Sequence, residues 1–231
     1  MTTIETPLRY SKTTIEVPLK YSNTPEYMFP PLATCPGCAY GLIYRLFLKA
    51  SGPKVIITGV PGCGGSGRLS SGGKPIDSMG SPLGNAPSFA AGVSLALQAQ
   101  GDTETVVAPI IGDGAAFDIG MGALSAAAER NDNMLIVCKD NEGYQNTGSQ
   151  RSSASPWMTT SATTPAGAPK LEFKKDIASI LVAHKIPYLA TAIVGFPDDY
   201  MQKVKKAMKI KGFRFIHVLS PCPTGWVSPR N

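Results

Sequence analysis

The 231-residue chain is short of charge, with Asp, Glu, Lys and Arg together making up 16% of it. So little charge suits a surface partly covered by other chains, and the 43% hydrophobic content suits a well-buried core. No apolar run approaches the roughly 20 residues that a membrane helix needs. The opening "MTTIETPLRYSK" lacks the apolar stretch of a secretory leader. Five cysteines are an odd set for a disulfide framework. Together these features predict a cytoplasmic protein whose thiols serve as ligands or stay free, with no membrane partner. Aromatics are modest at 8%, which also counts against nucleic acid despite the net charge of +6. The basic cluster Lys203, Lys205, Lys206, Lys209 and Lys211 has the spacing of the wet face of a helix, and an acidic protein partner stays open.

The N-terminus holds a tandem repeat. "TTIETPLRYSK" (2–12) is followed at once by "TTIEVPLKYSN" (13–23), identical at eight of eleven positions. Prolines at 7, 18, 25, 30 and 31 oppose a helix there, so residues 1–31 are expected to form an extended arm lying on a partner chain. Beyond it, residues 32–231 read as one α/β domain in which apolar strands alternate with helices. Strands are expected at 54–60, 104–114, 133–141, 188–195 and 213–221, and helices at 40–50, 85–100, 118–131, 171–185 and 198–212. That alternation predicts a three-layer fold, a mainly parallel sheet flanked by helices, with ligands at the carboxyl ends of strands. Two long polar loops, 62–84 and 142–169, are longer than a compact domain needs for connection alone.

"GDG" at 112–114 ends a buried strand and opens a helix. Glycine lets the backbone approach a diphosphate, the helix offers its positive end, and Asp113 supplies a hard oxygen for Mg²⁺. The next strand ends in "KDNEGYQNTG" (139–148), with Asn141 28 residues beyond Asp113. Adjacent parallel strands would bring both to one sheet edge.

The cysteines divide. Cys138 lies inside a strand and reads as a small buried hydrophobe. Cys35 and Cys38 ("CPGC"), Cys63 ("PGCGG") and Cys222 ("PCPTG") all lie in Gly/Pro-rich loops. Four thiolates make a full set for zinc or for a [4Fe–4S] cluster, and a C-x-x-C before a helix can also run thiol–disulfide chemistry. The isolated third and fourth cysteines suit a cluster somewhat better than zinc, and all three stay open on spacing alone. His184, at a helix end, and His217, within a strand, read as core or surface residues rather than acid–base groups.

The GDG–Asn pairing resembles the thiamine diphosphate motif. The stretches "GDGAAFDIGMGALSAAAERNDNMLIVCKDNEGYQNTGSQRSSASP" (112–156), "AHKIPYLATA" (183–192) and "IHVLSPCPTGW" (216–226) resemble the β subunit of pyruvate:ferredoxin oxidoreductase and related 2-oxoacid enzymes. The resemblance spans about residues 32–228 and implies the thiamine diphosphate-binding fold. It implies Mg²⁺ on Asp113, the Asn141 side chain and the Gly143 carbonyl, with Gly112, Gly114 and Ala115 along the diphosphate. Glu142 and Tyr144 belong to the same cofactor loop, and Asn146 would sit by the thiazolium and the bound 2-oxoacid as the catalytic side chain. A [4Fe–4S] cluster on Cys35, Cys38, Cys63 and Cys222, with Cys63 also beside the cofactor, would accept the electrons.

Two departures from the family pattern stand out. Tyr40 replaces an acidic residue found in some relatives two positions after the second Cys, and the chain ends soon after "CPTGW", at Asn231. No residue matches the Glu that activates thiamine, so another subunit is expected to supply it. No C-x-x-C-x-x-C run is present, so a partner with further clusters is expected to pass electrons to ferredoxin or flavodoxin, with coenzyme A taking the acyl group. The competing readings are a non-oxidative thiamine-dependent decarboxylase and a zinc-stapled, non-catalytic interaction subunit.

Overall fold

The computed structural model describes residues 25–28, 34–63 and 76–226. The two repeats at 2–12 and 13–23 lie outside the described residues. The end of the expected arm is held by its own chain. Met28 is buried, and Glu26 bonds Arg45 at 2.7 Å and Lys49 at 3.3 Å on the first helix.

Six strands form one wholly parallel sheet. They are β1 (Val55–Gly59), β2 (Ser78–Gly80), β3 (Val106–Gly112), β4 (Met134–Asp140), β5 (Tyr188–Ile193) and β6 (Phe213–Leu219), in the order β2-β1-β3-β4-β6-β5. The central β3 and β4 are apolar along nearly their whole length because both faces are covered. One face carries α1 (Ala39–Ser51) and α5 (Pro197–Met208), through residues such as Phe47, Tyr200 and Val204. The other carries α2 (Ala86–Ala99), α3 (Met121–Glu129) and α4 (Ile177–Ala183), through Ala90, Leu124 and Leu181. The alanine-rich stretch of α2 brings that layer close, as small residues allow.

Local signals explain the element ends. Pro197 opens α5 with Asp198 and Asp199 in its first turn and Lys205 and Lys206 in its last, matching the helix dipole. Lys205, Lys206, Lys209 and Lys211 are exposed, the wet face expected of that cluster.

Three expectations change. The loop at 62–84 contains the short edge strand β2, whose three residues carry no periodicity to read. The helix expected over 171–185 is confined to α4. Asp176 caps it by accepting from the Ser179 N–H at 3.0 Å, while Leu171 and Phe173 stay exposed. The segment before the cap is drawn away by its lysines, because the Lys170 ammonium is buried on the carbonyls of Ser155 (2.8 Å) and Glu172 (2.6 Å). Finally, the chain after β3 turns through a π-helical stretch, Gly114–Ile119, before α3 begins. Such turns are uncommon and occur often at functional sites.

Arg214 is the largest fully buried side chain. Among the described residues, its guanidinium forms no ion pair with a carboxylate. It donates to the carbonyls of Gly212 (2.9 Å), Met134 (3.1 Å) and Ile210 (2.5 Å) and to Asn133 Oδ1 (2.8 Å), tying the entry to β6 onto β4 and the end of α5. Replacing it with Met strands several buried acceptors. Arg214→Met is expected to cost roughly 2–4 kcal/mol, read as a lowered midpoint in thermal or urea unfolding. An unchanged midpoint would show that the carbonyls find other donors.

Candidate functional site

Four adjacent strands deliver the predicted residues to one edge. Cys63 follows β1, Asp113 follows β3, Asn141 follows β4 and Cys222 follows β6, all on the carboxyl side of the sheet. The chain reverses direction across the sheet between β1 and β3, the kind of crevice in which open α/β sheets bind ligands. Cys38 sits at the N-cap of α1, where the helix's positive end favours a thiolate.

Gly112 and Lys139 are paired in register, which sets Asp113 level with Asp140 and Asn141 one residue beyond at the same edge. Asp113 Oδ1, the Asn141 side-chain amide and the Gly143 carbonyl oxygen converge there. In one orientation of the Asn141 amide, Oδ1 lies 2.8 Å from the Gly143 carbonyl oxygen and 3.0 Å from Asp113 Oδ1. With its ends exchanged, Nδ2 donates to both, and Oδ1 accepts from the Tyr40 hydroxyl at 3.0 Å. The first arrangement sets acceptor against acceptor and needs a cation among them. Octahedral Mg²⁺, with ligands at about 2.0–2.1 Å, spaces neighbouring oxygens about 2.9 Å apart, which matches. Asp113 is 1% exposed. Burial, with the nearby Asp140 carboxylate adding, pushes its carboxyl up to about 7 against the pull of the Ser152 hydroxyl, which donates to Oδ2 at 2.6 Å.

A buried carboxylate shapes the loop that carries Gly143. Asp140 Oδ1 accepts from the Glu142 N–H at 2.9 Å, and Oδ2 accepts from His217 Nε2 at 2.7 Å and from the Lys174 ammonium at 2.7 Å. Burial works to raise Asp140, but the bonds from His217 and Lys174 outweigh it and hold the carboxyl below its usual range. Glu142 adopts a left-handed backbone, φ 63°, as the chain turns to aim the Gly143 carbonyl back. Its side chain pairs with Lys174 at 2.9 Å and borders a neighbouring cavity, not the one that Asp113 lines.

Gly112, Asp113, Gly114, Ala115, Asn141, Gly143, Tyr144, Asn146 and Cys63 all line one cavity of about 180 Å³. A Cβ on Gly112 would meet nothing within 4 Å, so open space lies beside that backbone. A Cβ on Gly114 would fall 2.2 Å from the Tyr144 ring, so only glycine admits the ring, whose hydroxyl donates to Asp118 Oδ2 at 3.0 Å. Of the expected residues, only the side chain of Glu142 and the thiols of Cys35, Cys38 and Cys222 stand outside this cavity.

The four loop cysteines gather on its flank. Burial pushes the Cys63 thiol up, and Cys222 and Cys38 add to the shift as like charges. Burial also raises Cys38; the Tyr40 N–H opposes it, and Cys222 and Cys35 reinforce it. Each pair named lies within electrostatic reach. The Gly225 N–H donates to Cys222 Sγ at 3.2 Å, the type of backbone donor a thiolate centre uses. Among the described residues, no group of three or more His, Cys, Asp or Glu side chains is arranged to hold a metal ion. Cys138 is fully buried, as its place in a strand predicts.

Sequence reasoning missed four residues. Ser152 holds Asp113. Trp226 Nε1 donates to the Asn141 carbonyl at 2.9 Å while its N–H bonds the Cys222 carbonyl at 3.0 Å. Asp140 orders the loop. Lys139 is 4% exposed, with its ammonium 3.2 Å from the Cys63 carbonyl and 4.1 Å above the Tyr40 ring. Burial pushes it down to about 8, with the thiols of Cys63, Cys38 and Cys138 pulling the other way. The available signal for Lys139 and Asp140 was a charge at the end of an apolar strand, the informative exception to burial rules.

Comparison with known proteins gives the chain's relatives. The family described as thiamine pyrophosphate enzyme, C-terminal TPP binding domain, matches residues 69–218. The chain is 41% identical over 220 residues to pyruvate synthase subunit PorB of Methanocaldococcus jannaschii, covering 88% of this chain and 72% of that protein. It is 38% identical over 219 residues to ketoisovalerate oxidoreductase subunit VorB of Pyrococcus abyssi, covering 88% and 69%. Among solved structures, the 2-oxoglutarate:ferredoxin oxidoreductase of Magnetococcus marinus, with 2-oxoglutarate, coenzyme A and succinyl-CoA bound, superposes with a TM-score of 0.75 at 29% identity, covering 86% of this chain and 67% of that one. The fold and sequence shared with these proteins place the chain in the family of thiamine diphosphate-binding β subunits of 2-oxoacid:ferredoxin oxidoreductases.

Proposed function

We propose that this chain is the catalytic subunit of a coenzyme A-dependent 2-oxoacid:ferredoxin oxidoreductase, with pyruvate as its substrate. The observation that carries the reading is the three-oxygen group of Asp113, Asn141 and Gly143 set beside four gathered cysteines at one sheet edge. Asp113 Oδ1, Asn141 Oδ1 and the Gly143 carbonyl would hold Mg²⁺, with Gly112, Gly114 and Ala115 against the diphosphate. When bound, thiamine diphosphate supplies the nucleophilic carbon and the electron sink for decarboxylation. Asn146, on the cavity wall, would orient the 2-oxoacid. Cys35, Cys38, Cys63 and Cys222 would hold a [4Fe–4S] cluster as one-electron acceptor, a centre that keeps its thiolates farther apart than a single zinc ion does.

No glutamate lines the cavity among the described residues, in keeping with an activating Glu from a partner subunit. A second partner would carry further clusters toward ferredoxin or flavodoxin. Pyruvate follows the PorB likeness, although VorB is nearly as similar, and coenzyme A follows the Magnetococcus marinus neighbour. Cysteines without disulfides fit a reducing cytoplasm.

Two tests address the two halves of the site. Asp113→Asn should weaken Mg²⁺-dependent thiamine diphosphate binding by at least about 100-fold, and Ser152→Ala, which only frees the ligand's second oxygen, by about 10–100-fold, both measured by calorimetry on the assembled complex. Unaltered binding in Asp113→Asn would remove the metal assignment. Separately, Cys63→Ser in complex purified without oxygen should lose this chain's share of iron, sulfide and dithionite-sensitive visible absorbance while keeping most thiamine diphosphate binding. A colourless wild-type chain containing zinc would favour the interaction-subunit reading, and a cluster-free chain that still binds and turns over thiamine diphosphate the non-oxidative one.

A further inference from the structure

Lys139 is a buried lysine without a carboxylate. Its ammonium lies 3.2 Å from the Cys63 carbonyl and 3.4 Å from the Tyr44 hydroxyl, over the rings of Tyr40 at 4.1 Å and Tyr44 at 4.9 Å. No ion pair among the described residues includes it. A methionine would fill the same space without the desolvation cost of an ammonium, so a charge buried here wants an anion nearby. The acidic groups that act on it are the thiols of Cys63, Cys38 and Cys138 and the carboxyl of Asp113; burial in β4 holds the Cys138 thiol well above its usual range and so uncharged. In the proposed holoenzyme Asp113 faces Mg²⁺, which leaves the thiolate centre as the unmatched negative charge. Lys139 borders the same cavity as Cys63.

We propose that Lys139 is the fixed counter-cation of the centre held by Cys35, Cys38, Cys63 and Cys222, and that its charge raises the reduction potential of that centre. The inference rests on the cluster reading given above. Reduction adds one electron, and so one negative charge, to the centre; no bond forms or breaks. A cation in a low-dielectric wall stabilises the more negative state and eases the electron's arrival. Lys139 touches neither substrate nor cofactor in this account and is a positioning residue acting through charge.

The test is a redox titration with dithionite, followed by electron paramagnetic resonance, on the complex with its partner subunits. Cys63→Ser identifies which signal belongs to this chain. Lys139→Met should keep iron, sulfide and thiamine diphosphate. The reduced-to-oxidised ratio at the wild-type midpoint should fall about tenfold, equal to 59 mV for one electron. Lys139→Arg should restore most of the shift. An assembled cluster with an unmoved midpoint in Lys139→Met, or a midpoint that Arg fails to recover, overturns the proposal. If Lys139→Met does not assemble, Lys139→Gln, which keeps a donor for the Cys63 carbonyl and drops the charge, decides on the same midpoint. If the wild type shows no signal that Cys63→Ser removes, the cluster reading itself fails and this inference falls with it.

Discussion

The level pairing of two parallel strands carries this site. Gly112 lies opposite Lys139, so Asp113 leaves β3 beside Asp140, and Asn141, one residue further on, turns back to bring its amide within 3.0 Å of Asp113 Oδ1. A slip of one residue would turn the strand's side chains to the opposite faces. The register is held by burial on both faces: Ile110 and Val137 pack toward α1 and α5, while Ile111 and Cys138 pack toward the alanine-rich layer. The placement of Asp113 and Asn141 therefore depends on the apolar layers behind the strands.

Charge is handled differently on the two sides of β4's end. Asp140 is surrounded by donors and stays ionised, with Lys174 linking it to Glu142 and His217 closing the other side. His217, read from sequence as a residue without acid–base work, serves instead to hold a carboxylate that shapes the loop. Next to it, Lys139 is buried among neutral partners. One element thus places a satisfied anion and an unmatched cation side by side, and the second marks where an anionic group belongs.

Most of the fold was legible because strand and helix periods alternate cleanly from residue 40 onward. What failed had physical reasons. β2 is too short for a pattern. The stretch 171–176 has helical apolar spacing, yet Lys170, Lys174 and Lys175 find better partners in Ser155, Asp140 and the Phe117 carbonyl than a helix would offer them. The π-helical turn after Gly114 has no signature beyond the glycines that border it. Within the site, residues that could touch a ligand were legible because their chemistry is distinctive: Asp and Asn oxygens, glycines, thiols. Ser152, Asp140, Lys139 and Trp226 act on other protein groups, and a serine or tryptophan in a polar loop says nothing about which atom it will reach.

Trp226 reaches Asn141, 85 positions before it, through its indole and Cys222, in its own loop, through its backbone N–H. The indole fixes the peptide of Asn141, and the main chain of the same residue fixes the peptide of Cys222. The oxygen set and the sulfur set are therefore not two independent receptacles on a common scaffold. One residue holds a main-chain carbonyl of each, so replacing Trp226 removes a hydrogen bond from the Asn141 peptide as well as the packing beside Cys222.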